Sequence, residues 1–85
     1  MIHLYNNSSD TIQVAVSQWG NDGSTKFYEK KQGQTGEWAR DDSRGFLMAI
    51  RRPSGEHRYF VMADSKVDVS DDAVVRDGRR IEPLD

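Results

Sequence analysis

The chain has 85 residues, of which 35% are hydrophobic and 31% charged, and its formal net charge is −2. This length supports one domain with a small core, and the lack of cysteine excludes both a disulfide framework and a thiolate metal site. No apolar run is long enough to span a membrane and no basic and apolar leader follows Met1, so we expect a cytoplasmic protein.

The first two predicted strands, at residues 1–5 and 11–19, show the alternation of apolar and polar side chains that is typical of half-buried strands. The polar residues 6–10 between them are of types that bond to their own backbone in turns. The side chains that we expect to point into the core are those of Ile2, Leu4, Ile12, Val14 and Val16.

Two shorter strands follow in the prediction. The glycine-containing residues 20–24 predict a turn, and residues 25–31 would return as the second strand of a hairpin. Residues 32–36 predict another turn, which leads to a short strand at residues 37–40. We expect Trp38, on this short strand, to close one end of the core, and its alternative role is ligand binding.

Residues 44–63 predict a long β-hairpin in which two apolar runs flank a Pro-Ser-Gly turn. Pro53 and Ser54 suit the centre of a type I turn, and Gly55 suits the left-handed conformation that would follow it. This bulged turn would place Arg52 opposite Glu56.

The predicted register divides the hairpin into two apolar faces. The face that would point into the core carries Phe46, Met48, Ile50, Arg58, Phe60 and Met62. The opposite face carries Leu47, Ala49, Arg51, Tyr59 and Val61. This second face is more apolar than a solvent face requires, so either the rest of the chain covers it or a partner does.

The end of the chain predicts one more strand at residues 66–70 and then a terminal hairpin. Asp77-Gly78 favours a type I′ turn, which would place Val74 opposite Ile81. Residues 84–85 would be a free tail.

About seven to eight short strands, separated by turns and without any helical periodicity, predict an all-β fold. We expect a small antiparallel β-sandwich or barrel that forms a single domain over residues 1–85.

Catalysis and nucleic-acid binding are both disfavoured by the sequence. The chain has only two histidines, His3 and His57, and it contains no nucleophile, phosphate-loop or dinucleotide motif. Its arginines are interrupted by acidic residues, unlike a continuous phosphate-binding stripe. We therefore expect no enzyme, no cofactor and no nucleic-acid partner.

The remaining interpretation is a non-enzymatic binding module that contacts another protein, as inhibitor, immunity or adaptor proteins do, or that contacts a second copy of itself. An outer face with aromatic, aliphatic and arginine side chains has the composition of an interface. The candidate binding residues are Leu47, Ala49, Arg51, Tyr59, Val61 and Trp38.

The alternative interpretation is a β-sandwich that binds calcium, a glycan or a lipid with its turn loops. Asn21-Asp22, Asp41-Asp42 and Asp71-Asp72 offer oxygen ligands of the kind that calcium prefers, and Trp38 would belong to the same loop end. The sequence has no calcium-loop motif, so it assigns no metal ligand.

Overall fold

A computed structural model describes residues 1–20 and 23–85 of the chain. These described residues form nine β-strands and no helix. The strands are β1 (Ile2–Asn6), β2 (Ile12–Val16), β3 (Tyr28–Lys30), β4 (Thr35–Trp38), β5 (Phe46–Arg52), β6 (Gly55–Val61), β7 (Lys66–Val69), β8 (Val74–Arg76) and β9 (Arg79–Ile81). The all-β class predicted from the sequence is confirmed.

The strands form two sheets in a sandwich-like arrangement. The first sheet has the order β4-β1-β7-β8-β9, and the second has the order β3-β2-β5-β6. Neighbouring strands are antiparallel except β1 and β7, which pair in parallel. A parallel pair needs a crossover connection, and here the crossover contains strands of both sheets.

The core lies between the two sheets, where the inward side chains of both meet. The inward-facing residues predicted for β1 and β2 are all buried, since the alternation of a strand places every second side chain on the same face. The buried core consists of Ile2, Leu4, Ile12, Val14, Val16, Trp38, Phe46, Met48, Ile50, Tyr59, Val61, Val67, Val69 and Val74.

The terminal hairpin has the predicted register. Val74 pairs with Ile81, and the turn residues Asp77 and Gly78 both have positive φ, at 51° and 84°. Positive φ at both central residues is the mark of a type I′ turn, so this prediction is confirmed. The predicted turn at residues 20–24 includes residues 21 and 22, which lie outside the described residues.

The β5–β6 hairpin forms, but the predicted register is wrong by one residue. Arg52 pairs with Gly55 and not with Glu56, so the loop contains only Pro53 and Ser54. Gly55 has a φ of +141°, which is not the left-handed helical conformation that the predicted bulge requires. Because successive side chains of a strand point to opposite faces, this change moves every β6 side chain to the other face.

The new register exchanges the buried and the exposed residues of β6. Tyr59 and Val61, predicted on the outer face, are buried in the core with exposures of 7% and 0%. Phe60 and Met62, predicted in the core, are each 41% exposed. Residues 84–85 also differ from the prediction of a free tail, because Leu84 donates a hydrogen bond to the Arg58 carbonyl.

Candidate protein-binding face

The outer face of the second sheet, which points away from the core, combines an apolar end with a charged end. Leu47 and Ala49 of β5 point to this face, and Phe60 and Arg58 of β6 lie opposite them. Ala15 of β2 pairs with Ala49, so two small side chains make a low floor across the middle of the sheet. This floor is bordered by the larger side chains of Phe27, Leu47, Arg51 and Arg58.

The apolar patch comprises Trp19, Leu47, Phe60 and Met62. Leu47 is 42% exposed and Trp19 is 40% exposed, and both line a cleft of about 310 Å³ together with Phe60. Met62 continues the outward alternation of β6 just beyond the end of the strand. Large exposed apolar side chains that cluster on one face are typical of an interaction surface.

Gly45 fixes the two aromatic side chains of the apolar patch. The indole Nε1 of Trp19 donates a hydrogen bond of 2.8 Å to the Gly45 carbonyl oxygen. The Phe60 ring lies against the Gly45 backbone, where a β-carbon would overlap it. Gly45 has a φ of +90°, a conformation that glycine adopts most easily. The sequence therefore holds both rings in defined positions although both remain exposed.

Arg44 covers one side of Trp19. Its guanidinium carbon is 3.5 Å from the centre of the indole ring, which is the geometry of a cation–π contact. Asp42 holds this guanidinium through two hydrogen bonds, of 3.0 Å to Nε and 2.7 Å to Nη2. The hydrogen bonds from the side chain and the backbone amide of Arg44 lower the pKa of Asp42 from 3.8 to about 2.

The charged end of the face is a paired network. The Arg51 guanidinium lies over the Phe27 ring at 3.6 Å and donates a hydrogen bond of 2.6 Å to Glu56. Arg58 contacts the other Glu56 oxygen at 3.5 Å. These residues border a groove of about 490 Å³ whose floor includes Ala49, and Leu47 lines both this groove and the cleft of the apolar patch. The two depressions therefore adjoin at Leu47.

The structure separates the six candidate residues predicted from the sequence into two groups. Three of them, Leu47, Ala49 and Arg51, lie on the outer face. The other three, Tyr59, Val61 and Trp38, are buried. Trp38 lies at the edge of the first sheet and lines a separate cleft of about 250 Å³ that also contains Tyr28.

The prediction missed residues of the outer face for identifiable reasons. The predicted register places Phe60 and Met62 in the core, and the Pro-Ser-Gly turn alone does not distinguish that register from the observed one. Trp19 ends the predicted strand at residues 11–19 but lies beyond the observed end of β2, and Arg44 precedes β5, so the observed strands do not determine where either side chain points.

The acidic pairs considered for calcium have other contacts. Asp42 binds Arg44, as described above, and Asp71 accepts hydrogen bonds of 2.7 and 2.8 Å from the amide and hydroxyl of Ser9. Over residues 1–20 and 23–85, no three His, Asp or Glu side chains form a group that could hold a metal ion. The Asn21-Asp22 loop of that hypothesis lies outside the described residues.

Comparison with protein-family models, curated proteins and solved structures found no match. In the described ranges, no helix has the length and apolar character needed to cross a membrane.

Proposed function

We propose that this protein is a non-enzymatic binding module that recognises a partner protein with the outer face of its second sheet. The main support for the proposal is that Trp19 and Phe60 are exposed to solvent while both contact the Gly45 backbone, which holds their rings in place. Inhibitor, immunity and adaptor proteins act through contacts of this kind, and the identity of the partner decides among them.

Fixed aromatic side chains favour binding because little conformational freedom remains to be lost when the partner arrives. Tryptophan and arginine are also the residue types that most often dominate the binding energy of an interface. Here Arg44 lies on the Trp19 ring, so both residue types occur at one end of the face. We therefore place the centre of the interface at the apolar patch.

The charged end would contribute mainly to orientation. Arg51 and Arg58 are already paired with Glu56, and salt bridges between exposed side chains contribute little to stability. Their fixed positions still define where a partner can place its own charges without repulsion. The Ala15–Ala49 floor leaves room for a partner side chain between the two ends.

A site-specific crosslinking experiment tests this proposal. A photoreactive phenylalanine derivative replaces Phe60 in the full chain, and the matched control carries it at Tyr5, which is equally exposed but belongs to the first sheet. We expect a discrete adduct with another protein from position 60 and none from position 5. Equal adducts from both positions, or none from position 60, would contradict the proposal.

The captured partner is then purified and its affinity is measured directly. Leu47→Asp should weaken binding at least about tenfold, because it places a charge in the centre of an apolar interface. The midpoint of urea unfolding should change less than it would for a core leucine, since Leu47 is 42% exposed. An adduct that contains only a second copy of this chain would show that the face self-associates. That result would contradict the proposal, which requires a different partner protein.

A further inference from the structure

The edge of β6 shows a second feature that the outer face does not explain. In the described part of the chain, β6 is the last strand of its sheet, so one side of its backbone has no neighbouring strand. Leu84 and Asp85 bind at this side. The Leu84 amide donates a hydrogen bond of 2.7 Å to the Arg58 carbonyl, and the Arg58 amide donates one of 2.9 Å to an Asp85 carboxylate oxygen.

The contact therefore satisfies both backbone groups of Arg58, as a neighbouring strand would do. The Asp85 carboxylate also pairs with the Arg58 guanidinium, so one acidic side chain binds the amide and the cation of the same residue. Unpaired strand edges commonly attract extended chains, and a polar cover of this kind prevents it. We call the contact between residues 84–85 and Arg58 the tail latch.

The tail latch is held by groups that remain open to water. Leu84 is 61% exposed, and the side chains of Arg58 and Asp85 are about half exposed. Pro83, immediately before the latch, is also exposed and lines a cleft of about 220 Å³ together with His57 and Tyr59. Contacts of this kind open at low free energy.

We propose that the β6 edge at Arg58 is a binding site for an extended acidic segment of a partner protein, and that the tail latch occupies this site until such a segment displaces it. The chemistry of the occupant follows from the latch itself. It must present a backbone N–H to the Arg58 carbonyl and, one residue later, a carboxylate to the Arg58 amide and guanidinium.

This site goes beyond the proposed function. The Arg58 side chain also borders the outer face, but the edge site uses the Arg58 backbone groups, which take no part in the outer face. A basic segment is disfavoured at the edge, since its charge would face Arg58. An apolar residue followed by aspartate reproduces the latch and is the minimal occupant that the geometry supports.

The test is a peptide titration of the full chain, followed through its backbone amide resonances. The probe is an acetylated peptide with the sequence of residues 80–85, and a matched peptide ends in asparagine. The protein carries Leu84→Pro and Asp85→Asn, which remove the amide donor and the carboxylate charge of the latch. Asp85→Asn alone removes the charge and keeps the Leu84 amide donor, so it serves as a second variant with a weakened latch if the double variant is poorly folded.

We expect the Arg58 amide to shift saturably and the probe to bind the unlatched protein at least about threefold more tightly than the wild type, where the tail competes for the site. Leu84→Ala keeps the amide donor and should behave as the wild type. The asparagine peptide should bind at least about tenfold more weakly than the probe.

The absence of a saturable Arg58 shift, or equal affinity for latched and unlatched protein, would overturn this inference. Shifts centred on Trp19 and Leu47 would also overturn it, because they would place the peptide on the outer face. Leu47→Asp should leave the affinity for the probe peptide unchanged, because Leu47 belongs to the outer face. A negative peptide result would therefore count against the edge site and not against partner binding by the outer face.

Discussion

The ring of Phe60 lies directly against the backbone of Gly45. A β-carbon at Gly45 would overlap two atoms of that ring and would come within 3.2 Å of the Val61 carbonyl oxygen. The same glycine accepts the indole hydrogen bond of Trp19. One residue without a side chain thus positions two exposed aromatic rings, and this links a backbone requirement in the sequence to the surface that we propose for binding.

Gly45→Ala should lower the free energy of unfolding by roughly 2–4 kcal/mol. A positive φ costs alanine about 1 kcal/mol, and the overlap of its β-carbon with the Phe60 ring, together with its 3.2 Å approach to the Val61 carbonyl oxygen, adds about 1–3 kcal/mol. The measurement is urea denaturation of the variant and the wild type, followed by far-ultraviolet circular dichroism.

Gly33→Ala is the matched control, because Gly33 has a similar φ of +83° and its β-carbon would meet no atom within 4 Å. It should lose only about 1 kcal/mol. If the two variants lost the same amount, the contact between Gly45 and Phe60 would have no energetic effect. Phe60→Ala in the Gly45→Ala background should recover part of the loss, since it removes the overlap.

Arg40 joins three parts of the chain inside the protein. Its side chain is only 3% exposed and donates hydrogen bonds to main-chain carbonyl groups at the end of β2, before β3 and directly after β4. The accepting carbonyls belong to Val16, Ser17, Ser24 and Ala39. Arg40→Met should therefore destabilise the fold by roughly 2–5 kcal/mol, because it leaves these acceptors without their donor.

Two further substitutions separate the hydrogen bonds of Arg40 from its charge and its size. Arg40→Lys keeps the charge but lacks the planar fork that reaches several carbonyls, so it should recover less than half of the loss. Arg79→Met, at an exposed position, should change stability by less than about 0.5 kcal/mol. Equal unfolding midpoints for Arg40→Met and Arg79→Met would show that the buried hydrogen bonds do not stabilise the fold.

The sequence predicts those parts of the fold that depend on local patterns. Alternation locates β2, and Asp77-Gly78 determines the register of the terminal hairpin because only one turn type suits it. The Pro-Ser-Gly turn of β5–β6 is different, since it allows either a bulge or a two-residue loop. Packing decides between them, because the two-residue loop brings Tyr59 and Val61 into the core.

Other features have no local signal in the sequence. The parallel pairing of β1 with β7 joins strands that are distant along the chain, and it depends on how the whole first sheet assembles. Three of the six candidate residues predicted from the sequence do face outward, namely Leu47, Ala49 and Arg51. All three belong to β5, whose outward face does not depend on the register of β6. Trp19 owes its place on this face to a hydrogen bond with Gly45, which lies 26 residues away.

A pair of alanine substitutions tests the observed register of β6. Tyr59→Ala should lower the free energy of unfolding by roughly 3–5 kcal/mol, because it removes a buried aromatic side chain. Phe60→Ala should cost at least about 2 kcal/mol less, since its ring is partly exposed. The register predicted from the sequence alone requires the opposite order, so urea denaturation of the two variants distinguishes the registers.

The hydrogen bonds from Arg44 lower the pKa of Asp42 from 3.8 to about 2. Because the folded-state pKa lies below the ordinary value, the contact is fully present above about pH 4 and is lost as the pH falls through about 2. The carboxyl carbon resonance of Asp42 should titrate with that midpoint, and the Trp19 indole resonance should follow it, since Asp42 holds the Arg44 guanidinium over the indole. Arg44→Gln should return the midpoint towards 3.8. A wild-type midpoint already near 3.8 would show that Asp42 does not fix Arg44 on the ring in solution.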